Sequence, residues 1–129
     1  MAGDASSYLR NKLVDHSLGT TAYTKPTAVY LAAFVGDPGD DGTEVSTTDT
    51  GYARQAVTFA GASSGEADSN ADVVFPVATD DWGTISHLAL YDDDEAGNLL
   101  WYGPMALPKT IDESDQLKVA SGNFTVSLT

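Results

Sequence analysis

The hydrophobic rhythm of the chain changes once. Near the N-terminus apolar residues recur at helical spacing. Leu9 with Leu13 and Val14 with Leu18 are i,i+4 pairs, Ser6 or Ser7 stands where the first free amides need an acceptor, and Gly19 suits the position just past the end. One short helix is predicted, and it needs tertiary contact because so few turns are marginal alone. The stretch GTTAYTKP predicts an extended connector, since Pro26 biases Lys25 away from helical dihedrals. Every later segment reads at strand spacing. TAVYLAAFV (27–35) is apolar on both faces, with Val29, Leu31, Ala33 and Val35 on one and Ala28, Tyr30, Ala32 and Phe34 on the other, which predicts a strand covered on both sides. GYARQAVTFA, ADVVFPV, WGTISHLALY, NLLWYGPMAL, QLKVA and NFTVSLT follow as strands, with Pro76 pushing the second of these to an edge or a bulge. The last shows the clearest alternation, placing Phe124, Val126 and Leu128 inward and Asn123, Thr125 and Ser127 outward. The loop 36–50, with five acids, three glycines and a proline, is expected to be mobile.

Seven or eight short strands punctuated by turn signals predict an all-β fold, an antiparallel β-sandwich of jelly-roll type with one N-terminal helix. At 129 residues and 42% hydrophobic content the chain suits one domain, with residues 1–26 forming the helical segment and connector and 27–129 the sandwich. There are no cysteines, which removes disulfides and thiolate metal sites. The net charge of -13 sets the chain against nucleic acid and anionic membrane as partners, because both bind through cations. No stretch has the roughly 20 apolar residues of a membrane span or the apolar core of a signal peptide, so synthesis in a cytoplasm-like compartment is expected.

The acids cluster beside Gly, Pro, Ser and Asn, where connecting loops carry solvated charge. DDDEAGN approaches a calcium loop, but counting from Asp92 puts Asp94 at position 3, Ala96 at 5, Gly97 at 6 and Gly103 at 12, so two ligands are missing. A hairpin tip, with AGN supplying positive φ, is the expected reading, and no metal or cofactor is expected. His16 and His87 lack the spacing of a zinc site, and no nucleophile, phosphate-loop or dinucleotide motif is present, so no catalytic residue is assigned and an enzyme is not expected. Trp82, Tyr91, Trp101 and Tyr102 suit either a core or subunit contact or a platform for a sugar ring. Trp101 and Tyr102 are adjacent and point to opposite faces. Together with strand 27–35 they imply more apolar surface than a thin sandwich hides, which predicts self-association as a dimer or trimer, with Arg54, Trp82, Trp101 and Tyr102 as the candidate partner surface. Arg54, between Ala53 and Gln55, is expected to pair with an acid of its own subunit or to bridge to a neighbour.

The stretches YLRNKLVDHSLGTTAYTKPTAVYLAAF, GYARQAVTFA, WGTISHLALYD, GNLLWYGPMALPKTI and ESDQL, in this order, resemble a family of small tailed-bacteriophage virion proteins commonly labelled tail fibre proteins. The expected fold is also similar to that of the jelly-roll cement proteins that clamp phage shells. The resemblance implies a structural virion component and carries no catalytic motif. A receptor-binding fibre needs a repetitive shaft or a separate tip, and this chain has no repeat, so a capsid decoration or cement protein on the shell surface is the expected role. A tail or head-fibre component that binds a host glycan through its aromatics is the alternative. On the first reading the major capsid protein is the partner, and Tyr8, Leu9, Arg10, Lys12 and Leu13 of the N-terminal segment are the candidate contact residues. Arg10 and Lys12 either meet acidic capsid patches or stand as solvated helix residues.

Overall fold

Ala2–Ala5 forms a strand, β1, in the middle of the principal sheet, where the hydrophobic pattern predicts none. The computed structural model describes residues 2–128, without the side chain of Ala2. Met1 and Thr129, at the two ends of the expected domain, lie outside the described residues. After β1 come α1 (Ser7–Ser17), β2 (Val29–Val35), β3 (Thr43–Glu44), β4 (Gln55–Val57), β5 (Glu66–Asp68), β6 (Val73–Val74), β7 (Gly83–Tyr91), β8 (Leu99–Ile111), β9 (Lys118–Val119) and β10 (Thr125–Ser127).

The larger sheet has eight strands in the order β3-β2-β7-β8-β1-β10-β5, with β4 also on β2, and β6 pairs with β9 in a separate two-stranded sheet. The all-β, sandwich-like class is as expected, and the one helix starts and stops where the sequence places it. The pairing is antiparallel except that β1 runs parallel to β10, with Ala2 beside Thr125 and Gly3 beside Val126, so the sheet is mixed. The strands beyond the seven predicted are β1, β3 and β5, of four, two and three residues, too short to carry a period of two.

Both sides of β2 are covered. Leu31 and Ala33 join the main core with Ile85, Leu88 and Leu90 of β7, Phe124 and Val126 beside β10, and Val73, Phe75, Leu117 and Val119 of the smaller layer. Ala32 and Phe34 pack on the other side with Ala89, Tyr91, Leu99 and Tyr102. Tyr52, Phe75 and Trp82 form an aromatic cluster in the main core, with Trp82 edge-on to Tyr52 at 5.4 Å.

Two expectations are corrected. The loop 36–50 is a packed element: it contributes β3 to the edge of β2, buries Val45, and closes a turn through Gly42 N–H donating to the Asp37 carbonyl at 2.9 Å. Gly39 lies so near the Tyr102 ring that an added Cβ would fall 2.4 Å from its hydroxyl, so this loop covers part of the second face of β2. Leu128 is 53% exposed, because the β10 ladder ends at Ser127 and the inward alternation stops with it.

Ser6 holds the joint between β1 and α1. Its hydroxyl accepts from Leu9 N–H at 3.2 Å and donates to the Leu99 carbonyl at 2.5 Å, while its own N–H donates to the Leu100 carbonyl at 2.8 Å. One side chain thus caps the helix and ties it to β8. Ser6→Ala is expected to lower stability by roughly 2 kcal/mol, the upper end for loss of a cap, because the half-buried Leu99 carbonyl also loses its donor. Chemical denaturation of both proteins measures this.

Candidate functional site

The predicted N-terminal contact residues divide by helix face. Leu9 is 4% exposed and packs on Ala5 and Leu100, with Tyr8 and Leu13 half-buried beside it. Leu9 is therefore removed from any contact surface. Lys12 stays near its own helix, with Nζ 5.6 Å from the Tyr8 ring centroid. Arg10 points outward and has no ion-pair partner among the described residues. Val14 and Leu18 are 55% and 73% exposed, and with Arg10 they follow at i, i+4 and i+8, so one cation and two aliphatic side chains form a single outward stripe. The sequence gives the Val14–Leu18 pair only as an i,i+4 match to a helix, without assigning its face. The available signal was that this pair lies on the helix face opposite Leu9.

Arg54 is committed within the subunit. Its Nε donates to Glu44 Oε2 at 2.8 Å and its Nη2 to Oε1 at 2.9 Å, a two-point fork on one carboxylate. Its Nη1 donates to the carbonyls of Asp93 and Ala96 at 3.0 and 2.7 Å. The guanidinium lies over the Tyr91 ring at 3.7 Å from the centroid. Burial draws its pKa down, and the hydrogen bond and charge of Glu44 more than offset this, so the group is held cationic. The Tyr52 hydroxyl donates to the same Glu44 carboxylate at 2.6 Å and accepts from Ala33 N–H at 3.0 Å. Burial, then the Glu44 bond, pushes the Tyr52 pKa far above its ordinary 10.0. Of the two expected outcomes for Arg54, pairing within the subunit is the one observed. Glu44 was not legible as its partner, nor Tyr52 as a second donor to that carboxylate, since the first sits in a loop with no periodicity and the second reads as an ordinary strand aromatic.

This network fixes the acidic tip between β7 and β8. Asp92 accepts from the backbone and side-chain nitrogens of Asn98 at 2.7 and 3.0 Å, and Ala96 and Gly97 take the positive φ values of 51° and 75° expected where the chain reverses. A Cβ on Gly97 would stand 2.6 Å from Asp92 Oδ1, so only glycine fits. The Asp93 carboxyl is held below its usual range, first by hydrogen bonding from Asp94. Among the described residues, no three His, Asp or Glu side chains come together in a group that could hold a metal ion.

The aromatics are used internally. Trp82 is 5% exposed, with its indole N–H donating to the Thr50 carbonyl at 2.8 Å, which removes it from the predicted partner surface. Trp101 and Tyr102 do point to opposite faces. Trp101 is half-buried against the main core and the helix-side cluster, and Tyr102 is half-buried on the Phe34 side under Gly39. The four residues predicted as one surface are not brought together as one.

Arg54→Ala is expected to cost roughly 2–3 kcal/mol and to loosen the tip, because Glu44 would be left half-buried without its cation. Arg54→Lys should recover little of this, since an ammonium cannot span both oxygens. Denaturant midpoints and hydrogen exchange at residues 92–98 check both. The raised Tyr52 pKa also sets a pH dependence. The folded state holds this proton more tightly than the unfolded state, so its contribution is complete below pH 10.0 and is lost as pH rises above that value. Alkaline titration of stability should therefore show a decline above pH 10.0 that is smaller in Tyr52→Phe.

Among curated proteins, none matches the chain significantly. A family model described as podophage GP4 fiber I protein gp80 matches residues 4–127, nearly the whole chain. The protein therefore belongs to this family of small phage fibre-type virion proteins.

Proposed function

We propose that the protein is a non-enzymatic structural subunit that decorates the phage shell, docking on the major capsid protein through the outer stripe of α1. The observation that carries this reading is the stripe itself: Arg10, Val14 and Leu18 project from a helix that is tied by Ser6 to the middle of the sheet. A cation flanked by aliphatic side chains suits a protein surface with acidic and apolar patches. Binding the assembled lattice and not free capsid subunits would stabilise the shell by mass action, and neighbouring copies would gain from the repeating surface. Association of copies into dimers or trimers then belongs to the lattice, because the chain covers both faces of β2 by itself.

The family description favours a second reading, a fibre component. On that reading the subunit would be present in few copies and would bind a host glycan through its aromatics. The aromatics required for such a platform are buried or half-buried here, which weighs toward the first. The copy number per purified virion, measured by peptide mass spectrometry against the major capsid protein, separates the two. Decoration predicts parity or a simple fraction of it. A ratio lower by one or two orders of magnitude would place the subunit on the tail or a single vertex and refute the shell reading. Removing the whole N-terminal segment is no test, since β1 is part of the sheet. The doubly substituted Arg10→Glu, Val14→Gln protein should instead keep its thermal midpoint, both positions being exposed, and lose most of its incorporation. Full incorporation of that variant would exclude the α1 stripe as the docking face.

A further inference from the structure

The distal half of β8 departs from regular pairing. Ile85 stands opposite Lys109 and His87 opposite Pro104, so residues 105–108 face Ser86 alone and bulge from the hairpin. Pro104 and Pro108 bracket this stretch and cannot donate to a ladder. On its other side β8 is paired with β1 only at Trp101 and Tyr102, and among the described residues no strand continues that coverage. The result is a groove of about 290 Å³ between the bulge and β9. Leu88, Met105 and Val119 contribute apolar lining, Leu107 stands at its lip 77% exposed, and Lys109 and Lys118 supply positive charge. Val74, across the β6–β9 ladder from Lys118, is 45% exposed and is a further aliphatic side chain beside that lysine.

We infer that this groove seats an acidic segment carrying a large aliphatic side chain, presented by a different polypeptide of the virion. Charge complementarity selects that occupant. The chain has six Lys and Arg against 19 acids, and two of the six line this one groove. Lys109 has no ion-pair partner among the described residues. Lys118 meets Asp72 at 3.4 Å with both side chains more than half exposed, a weak pair that an incoming carboxylate can replace. The apolar lining gives an aliphatic side chain somewhere to go, and an exposed Leu107 is the kind of aliphatic anchor that a partner would cover. The two prolines remove backbone donors, so recognition rests on side chains and not on strand addition. A second copy is disfavoured, because it would set one body of net charge -13 against another. None of these residues belongs to the α1 stripe, so the inference stands apart from shell docking.

The test places a photoreactive p-benzoylphenylalanine at position 107, supplied from a plasmid during infection so that virions form with a mixture of this variant and the phage's own copies. A second preparation carries the same group at exposed Ala62 as a reference. After irradiation of purified virions, cross-linked peptides are identified by mass spectrometry and the yield is taken per incorporated copy. The expected result is a dominant peptide from another virion polypeptide in which Asp or Glu flanks Leu, Ile, Val or Met, with a yield that falls at least about fivefold when Lys109→Glu and Lys118→Glu are added. A cross-link to a second copy of this chain, a peptide without acidic residues, a yield no higher than at position 62, or a yield indifferent to the two charge reversals would each overturn it.

Discussion

The ladders of the principal sheet join β8 to the β10–β5 limb through β1. Without that strand, among the described residues, β8 has no paired neighbour on its second side, and the limb keeps only the bridge of Ser69 to Phe59 beyond β4 and the backbone hydrogen bonds around it. The segment can occupy this place because it is small. Gly3 lies against Phe124, and a Cβ there would stand 3.0 Å from the ring, so a larger residue would push this fully buried aromatic, just before β10, out of the core. Four residues thus carry ladders to two strands, parallel on one side and antiparallel on the other. The chain then enters α1 within two residues, so the position of the helix over Leu100 follows from that of the strand. Force applied to the outer stripe of α1 is passed through Ser6 directly into the centre of the sheet, as the proposed docking through that helix requires.

Arg54 makes a second constraint, and it answers the electrostatic question posed by so many acids. Like charges in one tip repel, and a free loop would spread to relieve this. Here one guanidinium holds the carbonyls of Asp93 and Ala96, stacks on Tyr91 and grips Glu44 of β3. Three parts of the chain are thereby fixed to one another: the loop before β4, the β7–β8 tip 39 to 42 residues beyond Arg54, and β2 through Tyr52 and Ala33. The cost of desolvating Arg54 is offset by four hydrogen bonds, whose fork geometry a lysine could not reproduce. This is also why the loop 36–50, acidic and glycine-rich, is ordered: its Glu44 is a partner and not merely a solvated charge.

What was legible in the sequence tracks how local the cause is. The helix, its Ser6 cap, the strands 27–35 and 83–91 and the positive φ at the tip follow from neighbouring residues, and each is found where it was expected. β1, β3 and β5 were not legible, because a strand of two to four residues is defined by what lies beside it and has no period of its own. The inward reading of Leu128 failed for the same reason, since alternation says which residues share a face but not where the partner strand stops. For the candidate site, Arg54 was recognisable as an unusual cation, whereas its partner Glu44, and Tyr52 which donates to the same carboxylate, lie 10 residues or fewer away in the chain yet in segments that gave no sign of converging. Trp82, Trp101 and Tyr102 were recognisable as important apolar bulk. Whether such bulk faces a core, a copy or a sugar is a property of the packed molecule.

The chemistry of the remaining surface bears on the choice between sugar and protein as partner. A sugar ring stacks on an open aromatic face, and no aromatic residue among the described ones is fully exposed. The large hydrophobic residues left outside are Val14, Leu18, Val35, Val74, Val77, Leu107 and Leu128, all aliphatic. Aliphatic side chains gain by being covered with other apolar side chains and offer a carbohydrate little beyond shape. Of the six cations, Arg10 lies beside Val14 and Lys109 with Lys118 beside Leu107, while exposed Lys25 stands in the connector before β2. On a body of net charge -13 a cation beside exposed aliphatic bulk lowers the repulsion of an approaching protein, so charge and burial act together at these two patches. Whole-body repulsion between copies works against association in free solution. The proposed attachment to a fixed, repeating partner would multiply each weak contact instead.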